Sequence, residues 1–215
     1  MNELVTIVGA SYFEPISKLL EELERHYKGH EGEIQAGSFV NGYAASICLL
    51  SVVCLESYTM RARYIHSATG DELNKLPVTK YLKMIYEDYP YLDKTNEVFV
   101  VRDLLAHNHL LKVSYDMDEA VGMKKKDLVR ISSGDKKFSA NVCTDTEKTN
   151  ILGLNTSPIL IGYKDTLIIL KTVWENLLFL ENKDRSQCYV SHLHVKHKGK
   201  HVRFGEIIGM SETCT

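Results

Sequence analysis

Tyr43-Ala-Ala-Ser-Ile-Cys-Leu-Leu-Ser-Val-Val-Cys-Leu55 is the longest apolar run of the chain, and the rest must fold around it. It spans 13 residues, whereas a bilayer span needs roughly 20, so the run predicts a buried helix rather than a membrane segment. The run is apolar on nearly all sides, and charged residues return only at Glu56, Arg61 and Arg63. We therefore predict a long central helix over residues 39–66 that leaves the core near its C-terminal end.

Further helices are expected around this central one. Apolar residues recur at helical spacing in each segment, Pro77 suits a first helical turn, and Thr95 and Asp165 are good N-caps. The expected spans are 12–28, 77–88, 95 to about 115, and 166–182. This succession is typical of an up-and-down bundle of four to five helices.

The pattern changes between residues 120 and 163, where turn residues separate short β-branched runs. We predict one or two hairpins there, as a β insertion in the helical frame. Lys198-Gly199-Lys200 lies at the centre of alternating residues, which predicts a short terminal β-hairpin. The chain is thus expected to be mainly α. A helical domain over 1–183 would contain the insertion, and a basic, His-rich tail would occupy 184–215.

Composition limits the class of protein. The chain has 215 residues, of which 44% are hydrophobic and 25% charged, as in soluble globular domains. With 26 Lys and Arg against 28 Asp and Glu, the net charge of −2 excludes a polybasic nucleic-acid coat but not a local basic patch. Five cysteines without a Cys-x-x-Cys pair, and an N-terminus without a signal-peptide pattern, indicate a cytoplasmic protein with no membrane segment.

The stretch Glu97-Val-Phe-Val-Val-Arg-Asp-Leu-Leu-Ala-His-Asn-His-Leu-Leu111 holds the most informative polar residues. Asp103 and His107 are four residues apart, so on a helix they share a face and the carboxylate can orient the imidazole. Arg102 and His107 lie about 140° apart around a helix, so a second copy of the chain would help both to reach one ligand. An imidazole moves protons near neutral pH and a guanidinium binds phosphate, which suits phosphodiester chemistry. The alternative is an ordinary Arg–Asp pair on a helix surface.

Arg102-Asp-Leu-Leu-Ala-His107 resembles the signature of the HEPN superfamily, the higher eukaryotes and prokaryotes nucleotide-binding domains. In that signature Arg is followed by a polar residue, here Asp103, and four to six residues separate the Arg from a His. The segment from Ala44-Ala45 to Leu55-Glu56-Ser57-Tyr58 is similar to the family's second helix. The resemblance covers residues 10–182 and implies a bundle of four or five helices. One subgroup has Tyr two residues after the motif His, where this chain has His109.

The resemblance implies a metal-independent endoribonuclease that uses no cofactor and acts as a homodimer, with two motifs meeting in a cleft. His107 would act as general acid or base, and Arg102 would stabilise charge in the transition state. Asp103 would orient the histidine, and His109 would assist. RNA would be cleaved through its own 2′-hydroxyl, leaving a 2′,3′-cyclic phosphate and a 5′-hydroxyl.

The family resemblance also implies a biological setting and an alternative. Such proteins serve in toxin–antitoxin, abortive-infection or phage-defence systems, which implies an antitoxin or a defence-complex protein as partner. The alternative is a HEPN-like module without turnover that binds RNA or a nucleotide, or that acts as a scaffold.

Other residues are candidates for supporting roles. Residues 122–138 contain six cations against two acids, a cluster that could follow an RNA backbone or be ordinary solvated surface. These cations are Lys124, Lys125, Lys126, Arg130, Lys136 and Lys137. Glu56 could form a salt bridge with Arg102 or Arg61, or lie in solvent. Asn108 is a further possible support.

The tail histidines suggest a zinc site, because two rings in His-x-His lie on one face of a strand. They are His192, His194, His197 and His201. Lysines at 196, 198 and 200 would repel a cation, and no Cys, Asp or Glu lies among the histidines. We therefore predict no metal site, and favour a hairpin that contacts RNA or a partner.

Overall fold

The computed structural model describes residues 8–27, 29, 40–71, 76–107, 111–119, 122–130, 136–185 and 189–210. Within these ranges the chain is mainly helical with small antiparallel hairpins, so the predicted fold class is confirmed. The helices are α1 (Phe13–His26), α2 (Val40–Ile65), α3 (Val78–Ile85), α4 (Leu92–Ala106), α5 (Lys136–Asn141), α6 (Tyr163–Lys183) and α7 (Phe204–Ile207). The strands are β1 (Leu111–Asp118), β2 (Gly122–Arg130), β3 (Val142–Cys143), β4 (Lys148–Thr149), β5 (His194–His197) and β6 (Lys200–Arg203).

The apolar helix α2 lies at the centre of the bundle and packs against α1, α4 and α6. Its side chains Ile47, Val52 and Leu55 are fully buried. Trp174 of α6 is also buried and meets the ring of Phe13 from α1 edge-on, with the ring centroids 5.7 Å apart. Because burial of apolar surface contributes about 25 cal/mol per Å², the packing of α1, α4 and α6 on α2 stabilises the fold. The predicted central helix is confirmed.

Two cysteines of α2 serve as core side chains. Cys48 and Cys54 are each 1% exposed, and burial raises the pKa of each thiol to about 12. A thiol that stays protonated is a poor nucleophile, so both residues pack rather than react.

One side of α2 remains open. Val53, Met60 and Tyr64 are 39%, 48% and 55% exposed, and they follow one another at spacings of seven and four residues, which place them on one side of the helix. We call these three residues the α2 stripe. Among the described helices, α2 is the one long and apolar enough to cross a bilayer by length and composition, criteria that the core helices of soluble proteins also meet.

The prediction that a helix continues to about Tyr115 is wrong. Helix α4 ends at Ala106, and strand β1 begins at Leu111. From that point apolar and polar residues alternate through Met117, which is the period of a strand and not of a helix. The β insertion therefore begins before residue 120, with a long hairpin in which β1 pairs antiparallel with β2.

Buried carboxylates fix the connections between the helices. Glu97 of α4 is 1% exposed and accepts hydrogen bonds from the backbone N–H groups of Ile151 (2.7 Å) and Leu152 (2.8 Å). Asp165 was expected to be the N-cap of the last helix, but that helix begins at Tyr163. The Asp165 carboxylate instead accepts from the backbone N–H of Gly162, at 3.2 Å, so it caps the helix from within its first turn.

The predicted terminal hairpin is confirmed as β5–β6, and it packs on the acidic side of α1. The Lys196 backbone N–H donates to Glu14 (2.8 Å), and the Lys198 backbone N–H donates to Glu21 (2.6 Å). The Lys198 ammonium pairs with Glu24 at 2.6 Å. Part of the positive charge of the tail is therefore neutralised within the chain.

We expect docking of this hairpin on α1 to weaken in acid. A hydrogen bond from the Lys18 ammonium, and then one from the Lys198 backbone, lower the pKa of Glu21. A carboxyl whose pKa is lowered by docking stabilises the docked state at every pH above its ordinary pKa. That contribution is lost as the pH falls through the lowered pKa. ¹⁵N relaxation order parameters for residues 194–203, measured from pH 7 down to about pH 3, should decrease through the titration of Glu21.

Comparison with two variants isolates the effect of Glu21 from the protonation of other carboxyls. In Glu21→Gln the acid-induced decrease in order should be smaller than in the natural chain, since the amide cannot titrate. Glu22→Gln, whose partner is Arg25 on the same helix, should behave like the natural chain. Identical pH profiles for all three proteins would contradict the assignment to Glu21.

Candidate functional site

The packing of α4 on α2 places Arg102 at the edge of the core. On α4, Val101 is 0% exposed and packs in the core of the bundle, whereas Leu104 is 1% exposed and packs with Val100 and Val142 in a second, smaller cluster. Arg102 lies on the flank of the same helix, with 29% of its side chain exposed, and reaches toward the C-terminal half of α2. The helix thus anchors Arg102 through its apolar neighbours while leaving the guanidinium accessible.

Four charged side chains meet at this flank, and we call them the Arg102 cluster: Glu56, Arg102, Asp103 and Lys137. Arg102 Nη2 donates to Glu56 Oε1 at 3.2 Å, and the Lys137 ammonium donates to Asp103 Oδ2 at 2.8 Å. Arg102 Nε lies 3.0 Å from Asp103 Oδ1 but is not aligned for a hydrogen bond. The structure therefore pairs Glu56 with Arg102, one of the two partners considered from the sequence.

The guanidinium of Arg102 retains donors for a ligand. Within the described part of the chain, its Nη1 makes no hydrogen bond. A guanidinium has five N–H donors in a planar fork, so the contacts to the two carboxylates orient Arg102 without using all of its donors. Two cations and two carboxylates leave the cluster neutral, so an incoming phosphate would compete with Glu56 and Asp103 for the arginine.

A cleft of about 420 Å³ opens beside the cluster, between α2, α3 and α4. Arg102, Lys137 and Glu56 line it, together with Phe99. The Arg102 guanidinium carbon and the Lys137 ammonium lie 5.2 Å and 5.3 Å from the Phe99 ring centroid, so both cations also contact the aromatic face.

Arg63 forms part of the cleft wall and is more buried than the sequence predicts. The sequence predicted that α2 leaves the core at this residue, yet Arg63 is only 6% exposed. Burial lowers its pKa, and its guanidinium is held by the backbone carbonyl of Leu76 and by the face of the Tyr81 ring, 4.9 Å away. We assign it a structural role, since these contacts hold the segment before α3 against α2.

His107 lies at the C-terminal end of α4 and is exposed. Its backbone N–H donates to the Asp103 carbonyl at 3.0 Å, but its ring forms no hydrogen bond within the described ranges. The Asp103 carboxylate, expected to orient the imidazole, contacts Arg102 and Lys137 instead. The candidates Asn108 and His109 lie outside the described residues.

The basic cluster of residues 122–138 is divided between β2 and α5. Lys125 pairs with Glu147, and Lys126 lies 3.5 Å from Asp116 in an exposed pair. Lys137 belongs to the Arg102 cluster, Lys124 and Lys136 are exposed, and Arg130 ends β2. The structure therefore does not bring these cations into one uniformly positive face, but it does bring one of them to Arg102.

In the described ranges, the structure places no group of three His, Cys, Asp or Glu side chains together as metal ligands. Of the tail histidines, His197 turns toward α1, with Nδ1 3.2 Å from the Ser17 hydroxyl. His192 and His194 are exposed.

Two further cleft residues are not predicted by any sequence pattern. Thr79 of α3 donates a hydrogen bond from its hydroxyl to Asn96 Oδ1 of α4 at 2.8 Å, and both line the cleft. Neither residue belongs to a sequence motif. Their hydrogen bond joins two different helices, so no local sequence pattern identifies them.

Comparison with protein-family models, with curated proteins and with solved structures gives no match.

Proposed function

We propose that the protein is a metal-independent endoribonuclease of HEPN type, in which Arg102 and His107 act on the RNA phosphodiester. The observation that supports this best is the position of Arg102: two carboxylates orient it at a cleft while part of its donor fork stays open. His107 is exposed and directly follows the last residue of the same helix.

The reaction is an internal transesterification. The 2′-oxygen attacks the adjacent phosphorus, the bond from phosphorus to the 5′-oxygen breaks, and a 2′,3′-cyclic phosphate and a 5′-hydroxyl result. His107 either accepts the proton of the 2′-hydroxyl or gives a proton to the leaving 5′-oxygen. Arg102 binds the non-bridging oxygens, where negative charge accumulates in the transition state.

We propose that the protein acts as a homodimer. The α2 stripe is an exposed apolar surface, and its central residue Met60 also lines the cleft. A second copy packed on the stripe buries these side chains and brings two clefts, with two Arg102 and two His107 side chains, close together. Two copies would overcome the angular separation of the two residues along one helix.

Cleavage of labelled RNA by the purified full chain in EDTA tests the proposal. The natural chain should yield fragments with 2′,3′-cyclic phosphate ends, and His107→Ala should reduce the rate by about 100-fold or more, because general acid–base catalysis contributes that much. His66→Ala, which replaces an exposed histidine just after α2, should cleave at the rate of the natural chain. Cleavage that survives loss of His107, or that requires a metal, contradicts the proposed mechanism.

The second candidate is a HEPN-like module that binds RNA or a nucleotide, or serves as a scaffold, without turnover. One observation favours this second function. The Asp103 carboxylate pairs with Lys137 and Arg102, so among the described residues no carboxylate orients the His107 ring. Retained RNA binding without cleavage, in the same assay, would support this function. For either function we propose a cytoplasmic protein of a toxin–antitoxin or defence system, with an antitoxin or a defence-complex protein as partner.

A further inference from the structure

The lining of the cleft beside the Arg102 cluster combines charged and apolar side chains. Arg63 lines it as well as Arg102 and Lys137, and its guanidinium donates to Met60 Sδ and to the Leu76 carbonyl. The apolar side chains of Met60, Leu76 and Val78 line the same cleft. Such a lining suits a ligand that combines a flat or apolar body with an anionic group.

Asn96 lies in the wall of the cleft, where its side-chain amide can donate a hydrogen bond to a ligand. The Thr79 hydroxyl donates to Asn96 Oδ1 at 2.8 Å, which fixes the orientation of the amide. Within the described ranges, Asn96 Nδ2 has no hydrogen-bond partner. An amide N–H₂ group in a partly buried wall can be satisfied by an acceptor on a ligand, at a net gain of about 1 kcal/mol for each hydrogen bond.

We propose that this cleft binds one nucleotide of the RNA substrate. Its base lies between the apolar walls and accepts a hydrogen bond from Asn96, and its phosphate lies against Arg102 and Lys137. A cavity of about 420 Å³ is within the size range of small-ligand sites, and every base offers an apolar face together with ring-nitrogen or carbonyl acceptors. Inorganic phosphate would satisfy the cations but leave the walls empty. The inference rests on the proposed ribonuclease function, since it identifies which part of the substrate the same site holds.

Binding of the four nucleoside 3′-monophosphates to the full chain, measured by calorimetry, tests the proposal without requiring cleavage. At least one mononucleotide should bind at least about tenfold more tightly than inorganic phosphate and than the matching nucleoside. Asn96→Ala should weaken that nucleotide roughly five- to tenfold and leave the affinity for inorganic phosphate unchanged. Asn182→Ala, an exposed residue at the end of α6, is the matched control and should bind like the natural chain.

Asn96→Asp provides a variant of nearly the same shape in case Asn96→Ala fails to fold. It keeps an oxygen for the Thr79 hydroxyl and replaces the Nδ2 donor by an acceptor, so the preferred nucleotide should again bind more weakly. The proposal is overturned if all nucleotides bind no better than inorganic phosphate, or if neither Asn96 variant changes nucleotide affinity. Nucleotide binding that depends on Asn96, in a protein that cleaves no RNA, would retain this site and refute only the proposed ribonuclease activity.

Discussion

Replacement of Arg102 by alanine is expected to lower the single-turnover rate of RNA cleavage by about 100-fold to 1,000-fold. The guanidinium is oriented by Glu56 and Asp103 toward the position that we propose for the phosphate. Loss of a preorganised donor to a developing negative charge raises the barrier by roughly 3–4 kcal/mol, which corresponds to this change in rate. The rate should be measured with enzyme in excess over labelled RNA and with EDTA present.

Two control variants separate the role of Arg102 from a general effect of charge. Arg102→Lys retains the positive charge but lacks the planar fork, so its rate should lie between those of the natural chain and the alanine variant. Arg25→Ala removes an exposed arginine from α1, and its rate should match the natural chain. If Arg102→Ala melts at the same temperature as the natural chain and still cleaves RNA at the same rate, Arg102 has no catalytic role.

Replacement of Glu97 by alanine is expected to lower the free energy of unfolding by about 3 kcal/mol. The Glu97 carboxylate is buried and accepts hydrogen bonds from the backbone N–H groups of Ile151 and Leu152. Without it, two donors lose their partner, and each unsatisfied buried group costs about 1–3 kcal/mol. Urea denaturation followed by circular dichroism gives the free energy and shows whether the slope of the transition is unchanged.

Glu97→Gln and a substitution at the half-exposed Glu22 provide the comparison. Glutamine keeps one acceptor oxygen, so its loss of stability should be smaller than that of the alanine variant. Glu22→Ala on α1 should change the free energy of unfolding by no more than about 0.5 kcal/mol, as surface substitutions do. A loss below that value for Glu97→Ala would show that the loop at 151–152 is held by other contacts.

The loop that Glu97 holds is linked to the Arg102 cluster through α5. The backbone N–H of Asn150 donates to the carbonyl of Asn141 at 3.0 Å, so the loop that Glu97 holds is joined to the end of α5. Lys137 lies on α5 and pairs with Asp103. Glu97 therefore supports the position of a cation of the Arg102 cluster as well as the stability of the chain.

Sequence patterns predicted the helical frame well where the apolar period was long and uninterrupted. The central helix and the first helix begin and end within two residues of their expected limits. The end of α4 was misplaced, because a polar motif followed by leucines fits a helix as well as it fits a strand. Only the alternation from Leu111 to Met117 distinguishes the two.

The candidate site was predictable only in part. Local sequence identified Arg102, Asp103 and His107 as an unusual group on one helix, and suggested Glu56 as a partner. It placed Lys137 in a separate basic cluster, and gave no indication of Asn96 or Thr79. It also favoured an Asp103–His107 contact, which the competing ion pairs with Lys137 and Arg102 replace.

The sequence by itself determined that residues 43–55 form the centre of a helical bundle, because a run without a polar face can satisfy its backbone and bury its side chains only as a core helix. It also determined the hairpin at Lys198-Gly199-Lys200, since glycine readily adopts the positive φ of 79° found at the turn. Only the tertiary structure decided which charges meet. Arg102 lies 46 residues from Glu56, and Lys137 lies 34 residues from Asp103. Their pairing depends on how α2, α4 and α5 pack together, and no local period in the chain encodes that geometry.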